Sequence, residues 1–483
     1  MRLHLSPDSR ELTVAIVGGG ASGTLLAVQL LHRSAETGLP VRIWLFDEHG
    51  RHGRGQAYAT EHDGHLLNAV AGRMSALPGA PHDLVDWAAA GGLPAPVSHS
   101  VFLPRRAYGR YLRDTLAAAQ QAAAPRGRLI PVTAAVTAIR PRPGGRGARL
   151  EAGGDQLDAD VVVLATGNAS AAFPFQVPDS EQVISDPWRP GVLGRLQDGR
   201  PAAGGRDSVV IVGTGLTMID LAVAVTSARP GTVVHAVSRH GLLPRVHYCN
   251  TAAPPAPLWL PALSRPDGPV RLAELMWQVR QAVTGRPDSW PAVLDALRPQ
   301  IPDLWQRLPT PDKQAFLRHV ARYWEVHRHL MPPATAARIT TLRLTGQLFV
   351  HRGRVLGARP HQGRVSVVTG EADGTRELTA DWLVNGTGGT ADITAAASPL
   401  LRELFASGLA RPDSLRLGID ADRDAAVLSS GGQPSPFLYA IGPPLRGLRY
   451  ETTAIPEIRD QASALAERVI GGRLASRNSG SAA

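Results

Sequence analysis

Residues 14–23 read VAIVGGGASG and residues 209–218 read VVIVGTGLTM. Each sets an apolar run against a glycine turn and follows it with a helical pattern, TLLAVQLL after the first and IDLAV after the second. Short runs of Val and Ile read as buried parallel strands, and strand, turn and helix in alternation mark a doubly wound α/β fold. Further runs at 41–46 (VRIWLF), 161–165 (VVVLA) and 232–237 (TVVHAV) supply more strands. Because the unit occurs twice, the expected fold class is α/β with two Rossmann-like dinucleotide-binding domains.

In the first turn Gly18, Gly20 and Gly23 form GxGxxG. Gly18 permits the tight turn, Gly20 lets the backbone approach a pyrophosphate, and Gly23 lets helix pack on strand. The helix N-terminus, with Ser22 in its first turn, then stabilises the anion. Asp47 stands 24 residues past Gly23 at the end of the next strand, where a carboxylate accepts ribose hydroxyls; Glu48 is the competing assignment. The second turn keeps Gly213 and Gly215, with Thr217 beyond them. It has Met218 at the third glycine position, where a longer side chain is expected to push helix from strand slightly. After its following strand the acid is replaced by Ser238 and Arg239, a hydroxyl and a guanidinium suited to a 2′-phosphate. That contrast points to NADPH over NADH; the alternative is an Arg239 that caps the strand or pairs with a carboxylate.

Two more strand ends, LATGN with Thr166 and Gly167, and VNGTGG at 384–389, have the form used where a chain crosses between an FAD and an NADPH domain. The division read from these signals is an FAD-binding part at 11–205 and an NADPH-binding part at 206–345. The latter carries a Trp- and Arg-rich helical insertion at about 250–335. A return to the FAD domain at 346–472, with a turn at Asp373 and Gly374, and a flexible tail at 473–483 complete the chain.

Composition narrows the chemistry. A chain of 483 residues, 43% of them hydrophobic, builds several cores, so disordered and fibrous classes are excluded. The lone Cys249 excludes a disulfide framework, a Cys-rich zinc site and a dithiol redox centre, and fits a reducing cytoplasm, so redox chemistry falls to a cofactor. The net charge of +10 is almost wholly arginine, since Lys313 is the only lysine, which argues against a Schiff-base enzyme. The arginines are scattered singly and form no basic block for nucleic acid. Residues 12–31 are apolar enough to suggest a signal peptide or membrane span, but three consecutive glycines and the acids Asp8 and Glu11 argue against both. A soluble cytoplasmic protein is expected. His327 and His329 at i, i+2 lie on different helix faces, so no metal site is expected. With Trp324 and Arg328 they form either a substrate-facing wall or a packing surface.

The strings GRGQAYAT (53–60), HLLNAVAGRMSALP (65–78), FLPRRAYGRYL (102–112), VSRHGLLPRVH (237–247) and GLRYETTAIPEIRDQA (447–462) go further. With the two glycine turns they resemble the two-dinucleotide-binding flavoproteins, which include flavin monooxygenases and amine N-hydroxylases. The closer likeness is to a bacterial family of FAD/NAD(P)-binding proteins, over about residues 12–470. The resemblance implies FAD and NAD(P)H use, and for most members of the family it supplies no substrate. It places Gly55 and Gln56 beside the FAD, and His65, Asn68, Arg73, Met74 and Ser75 near its ring or ribityl chain, although Met74 reads equally as core and Arg73 as an ion-pair partner. Many relatives carry a C-terminal Gly-Asp whose Asp binds the ribityl chain; here Pro443 follows Gly442, so only the close approach of Gly442 carries over. Thr452 and Thr453 then stand as flavin-facing donors at the start of the terminal helix, or as part of a capped surface helix.

The function expected on this resemblance is a flavin monooxygenase that takes a small nucleophilic substrate, amines included, and O2, acting through a C4a-(hydro)peroxyflavin. No catalytic side chain is assigned because the flavin carries the chemistry. The FxGxxxHxxxW signature of Baeyer-Villiger-type enzymes is absent after LATGN, where a DPW element stands at 186–188. Two alternatives stay open, an FAD-dependent NAD(P)H reductase or dehydrogenase and a non-catalytic FAD-binding redox sensor.

Overall fold

The computed structural model describes residues 11–91, 93, 97–169, 171–198, 207–247, 268, 270–284, 290–389, 392–396 and 398–480. Cys249, the first stretch of the expected insertion and the boundary at 205/206 lie outside them.

Two parallel sheets organise the chain. The first has six strands in the order 426–428, 434–440, 161–164, 12–17, 41–46 and 127–132. All its pairs are parallel except the outermost, 426–428 with 434–440. The second has five parallel strands in the order 348–352, 233–238, 208–212, 382–385 and 183–184. Leu12–Val17 and Ser208–Val212 are buried throughout, as strands covered on both faces must be. The helices Ala21–Thr37, Arg105–Ala123 and Ile455–Gly480 cover one face of the first sheet, and residues 393–404 pack on the other. Each sheet is joined to a three-stranded antiparallel meander, at 136–159 and 354–380.

The two glycine turns are wired alike. Gly18 N–H donates to Phe46 O (3.0 Å), at the end of the neighbouring strand, and Gly213 N–H donates to Val237 O (2.8 Å), one residue before the end of its own neighbour. The crossing strands return the bond, Ala165 N–H to Val17 O (2.9 Å) and Gly386 N–H to Val212 O (2.8 Å). Gly18 and Gly213 have φ of 119° and 120°, and a Cβ would lie 2.2 Å from Ala165 O on the first and 2.3 Å from Gly386 O on the second. Both LATGN and VNGTGG therefore lie directly against a dinucleotide-type turn. Met218, in the third glycine position, is fully buried in the core of the second sheet.

Three boundaries differ from the sequence reading. Leu348–Arg352 and Trp382–Asn385 belong to the second sheet, so the return to the first sheet comes after residue 385 and not at 346. A linear reading sees the 354–380 meander as a change of domain, whereas it is an excursion between two strands of one sheet. The hairpin turn is Ala372–Asp373, because Gly374 already pairs with Glu371. Residues 473–480 continue the terminal helix instead of fraying.

The two sheets are clasped through Asp220, a buried acid on the helix Leu216–Ala228. Arg105, from the first unit, sets Nη1 2.8 Å from Asp220 Oδ2, and its Nε donates to Leu66 O at 3.1 Å. His65 Nε2 lies 3.0 Å from Asp220 O, so it donates, and Nδ1 accepts from Thr60 Oγ1 at 2.7 Å. Burial, and then the charge of Arg105, push His65 down to about 4, which keeps the ring neutral. Burial outweighs Arg105 at Asp220 and pushes its carboxyl up to about 6.

Two predictions follow from this geometry. A methyl at Gly23 would lie 2.0 Å from Gly18 O, so Gly23→Ala should cost roughly 3 kcal/mol by overpacking, read as a lowered Tm together with weaker FAD retention. The second concerns pH. Between 3.8 and about 6 folded Asp220 holds a proton that the unfolded chain releases, so its contribution to stability falls as pH rises. His65, lowered from 6.5 to about 4, contributes the opposite slope. Asp220→Asn removes only the first. The stability of the wild type minus that of D220N should therefore decline by about 2 kcal/mol from pH 4 to 6, measured by urea melts; a difference constant with pH would contradict the assignment.

Candidate functional site

The helix Ala21–Thr37 starts at Gly20 with no side-chain cap, so its first amides have no partner within the helix. The loop 51–55 lies over this turn, with Gly53 N–H donating to Gly19 O (2.9 Å) and a Cβ on Gly55 reaching 2.6 Å from Gly20 Cα. Only glycines allow that approach. Arg54 Nε on this loop is buried with no hydrogen-bond partner, and neither Arg51 nor Arg54 has a carboxylate partner among the described residues. Arg51 Nη1 donates instead to Trp188 O (3.2 Å), and the Trp188 ring stands edge-on to His65 at 5.8 Å, so the DPW element closes onto this loop. Asp47 Oδ1 accepts from His49 N (3.0 Å) and Arg51 N (2.8 Å), while among the described residues Oδ2 makes no bond; Glu48 is exposed and likewise makes none among them. An uncapped helix start, two guanidiniums without acids and a carboxylate with a spare oxygen fit the diphosphate and ribose of a dinucleotide.

Further along, the structure sorts the expected contacts. Asn68 is half-buried with an unengaged amide, Gln56 and Thr166 are exposed, and no atom would crowd a Cβ on Gly167. These can face a ligand. Three others are committed elsewhere. Met74 packs in the core, Ser75 Oγ is buried and donates to Ala80 O (2.7 Å), and His65 spends both nitrogens on the clasp. Arg73 pairs with Asp295 at 2.9 Å. Alternation along a loop cannot show which side chains turn inward; Met74 and Arg73 take the second of the two roles read for each, core residue and ion-pair partner.

At the C-terminal side Gly442 (φ 73°) is held against Ser22, whose Oγ would lie 2.5 Å from a Cβ there. Gln461, which the sequence reading passed over, accepts from Gly442 N (3.0 Å) and donates to Thr452 Oγ1 (2.9 Å). Thr452 Oγ1 in turn donates to Gly442 O (2.9 Å), so this fully buried hydroxyl is spent on the backbone, and Thr453 is the one left open. The insertion docks on the same segment, with Trp324 Nε1 donating to Glu451 Oε1 (2.9 Å) and Arg328 pairing with Glu451 (3.2 Å).

The second turn has the same open helix start. The helix Leu216–Ala228 starts at Gly215 with no side-chain cap and open space around it, and Thr217 beside it makes no side-chain bond. Ser238 does not meet the expectation. Thr214 Oγ1 donates to Leu242 O (2.6 Å), so Ser238 Oγ donates to Thr214 (2.9 Å) and accepts from Gly241 N (3.1 Å), and it is buried. Arg239 is exposed with no carboxylate partner among the described residues. Arg352, at the end of the adjacent strand, stands with it, Gly353 N–H donating to Ser238 O (2.9 Å). Partial desolvation and the charges of Arg239, Arg322 and Arg352 push His240 down, which marks a concentrated positive field. Nothing local in the sequence ties Arg352 to Arg239, which lies 113 residues earlier.

Residues 15–169 match the FAD-NAD(P)-binding family. No curated protein matches the chain by sequence. Among solved structures the chain is similar to the ornithine N-hydroxylase of Kutzneria sp. 744 with reduced FAD, NADP+ and L-ornithine, at 18% identity and a TM-score of 0.60, covering 95% of this chain and 99% of that one. It is similar to L-lysine 6-monooxygenase of Pseudomonas syringae at 16% and 0.63, covering 95% and 98%, and to the cadaverine monooxygenase of Erwinia amylovora at 14% and 0.62, covering 95% and 94%. Among the described residues no helix is long and apolar enough to cross a membrane. Residues 15–169 are thus similar to the FAD-NAD(P)-binding family, and the chain shares, nearly end to end, the fold of these N-hydroxylases and monooxygenases.

Proposed function

We propose that the chain is an FAD-dependent, NADPH-using monooxygenase of a small nucleophilic substrate, with amines the leading class. The observation that carries this reading is the pair of identically wired glycine turns, one flanked by Asp47 and the other by Arg239 and Arg352, in a fold shared with amine hydroxylases. FAD, when bound, accepts hydride and reacts with oxygen. The chain's own residues bind and orient. The amides at the start of Ala21–Thr37, with Arg51 and Arg54, hold the diphosphate, and Asp47 Oδ2 holds the ribose. Asn68, Thr166 and Thr453 remain to face the rest of the cofactor. Arg239 and Arg352 anchor the 2′-phosphate, and the Arg105–Asp220–His65 clasp fixes one domain against the other. With Cys249 as its only cysteine, the chain holds no dithiol pair to relay electrons to a disulfide, which favours oxygen over such an acceptor.

Arg239→Ala should raise the apparent KM for NADPH about tenfold or more and leave NADH use unchanged, since a charge-assisted contact is worth roughly 1.5–3 kcal/mol. Arg352→Ala should do the same to a similar degree, and equal effects on both nucleotides would remove the 2′-phosphate assignment. For the reaction itself, NADPH oxidation by the flavin-loaded protein is followed with a panel of amines, quantifying hydroxylamine and peroxide. Hydroxylamine formed in step with NADPH supports the proposal. Peroxide alone with rapid reduction of a quinone dye supports a reductase, and no NADPH oxidation supports a non-catalytic flavin-binding module.

A further inference from the structure

A cavity of about 1020 Å³ opens between the helical insertion at 295–302, the start of the terminal helix and the edge of the first sheet at 423–425. It lies beside the Gly442–Thr452–Gln461 cluster, with Ile441 and Gln461 in its wall. Charge accounting on its wall is lopsided. Asp295 is neutralised by Arg73 at 2.9 Å, and Glu457 by Arg298, whose Nη2 donates at 2.8 Å. Asp424 pairs with Arg468, Asp460 with Arg459 at 3.3 Å, and Glu451 with Arg328 at 3.2 Å. Every carboxylate lining the cavity thus has its arginine. Two lining arginines, Arg423 and Arg449, have no carboxylate partner among the described residues.

Arg449 is the more telling of the two. It is half-buried, its Nε is enclosed with no hydrogen-bond partner, and its one bond is a long contact from Nη2 to Arg423 O at 3.4 Å. Burial with no compensating acid pushes its guanidinium down from the ordinary value. A desolvated guanidinium without an acceptor is costly unless something else supplies the oxygens, and its planar fork matches a carboxylate or phosphate. Arg423, exposed at the rim, adds a second positive charge to the same space.

We propose that this cleft binds a molecule carrying a carboxylate or phosphate group, with Arg449 as its principal anion-binding residue and Arg423 as the supporting charge at the rim. The inference concerns binding alone and stands independently of the monooxygenase reading.

The test is isothermal titration of the full-length, flavin-loaded protein with succinate and, separately, with inorganic phosphate at millimolar concentration. Binding of at least one probe is expected, and Arg449→Gln should weaken it about tenfold or more, with a smaller loss for Arg423→Gln. Asp424→Asn frees Arg468 and should tighten the same probe, a gain that a misfolded variant cannot mimic. Preference for succinate identifies a carboxylate ligand, and preference for phosphate a phosphorylated one. Failure of both probes to bind overturns the proposal, as does binding that survives Arg449→Gln. Phosphate binding lost in Arg239→Ala but kept in Arg449→Gln would belong to the nucleotide site and would overturn it equally.

Discussion

The structure rests on the contact between a glycine Cα and the carbonyl oxygen of a crossing strand. Gly18 lies against Ala165 O and Gly213 against Gly386 O so closely that neither position has room for a methyl group. Each contact brings a glycine turn, the following helix start and a strand end together at the carboxyl edge of a parallel sheet, where ligands of such folds bind. That both turns are also hydrogen-bonded in the same pattern makes the two units versions of one device. They differ in the residue at the end of the following strand, the carboxylate of Asp47 in one and the guanidinium of Arg239 in the other.

What relates the two units is a buried ionic contact. Asp220 is an acid in an otherwise apolar helix, and its cost of burial is only partly offset by Arg105, which also donates to Leu66 O, while the His65 beside it is neutral. Buried pairs of this kind add little net stability but are strongly destabilising to break, so they specify one arrangement over others.

The helical insertion acts through the segment 447–457. Trp305 donates to Gly447 O at 2.8 Å and stacks on Tyr450 at 4.6 Å, while Trp324 and Arg328 hold Glu451, and Arg298 holds Glu457. This segment leads through Thr452 to Gly442 and hence to Ser22 at the first glycine turn. The insertion is thereby coupled to the glycine-turn end of the first sheet, and the cleft between them is bounded by side chains from both.

How much of this was legible in the sequence follows from which interactions are local. The strands, the glycine turns, the acid at Asp47 and the basic residue at Arg239 could be read directly, because a turn's φ requirement, a strand's apolar run and the spacing to its neighbour all act within a few tens of residues. The pairing of LATGN and VNGTGG with those turns was legible as a pattern. The inward turn of Ser75, Thr452 and Ser238 was not, because a hydroxyl's choice between ligand and backbone depends on which carbonyls surround it after folding. Arg352, Gln461, Arg449 and the Arg105–Asp220 pair carried no readable partner, since their meanings come from residues from 9 to 115 positions away. The sequence by itself thus determined two dinucleotide-type units, because those follow from local backbone geometry. Only the tertiary structure decided which polar groups remain free to bind, because satisfaction of a buried donor or charge is settled by its neighbours in space.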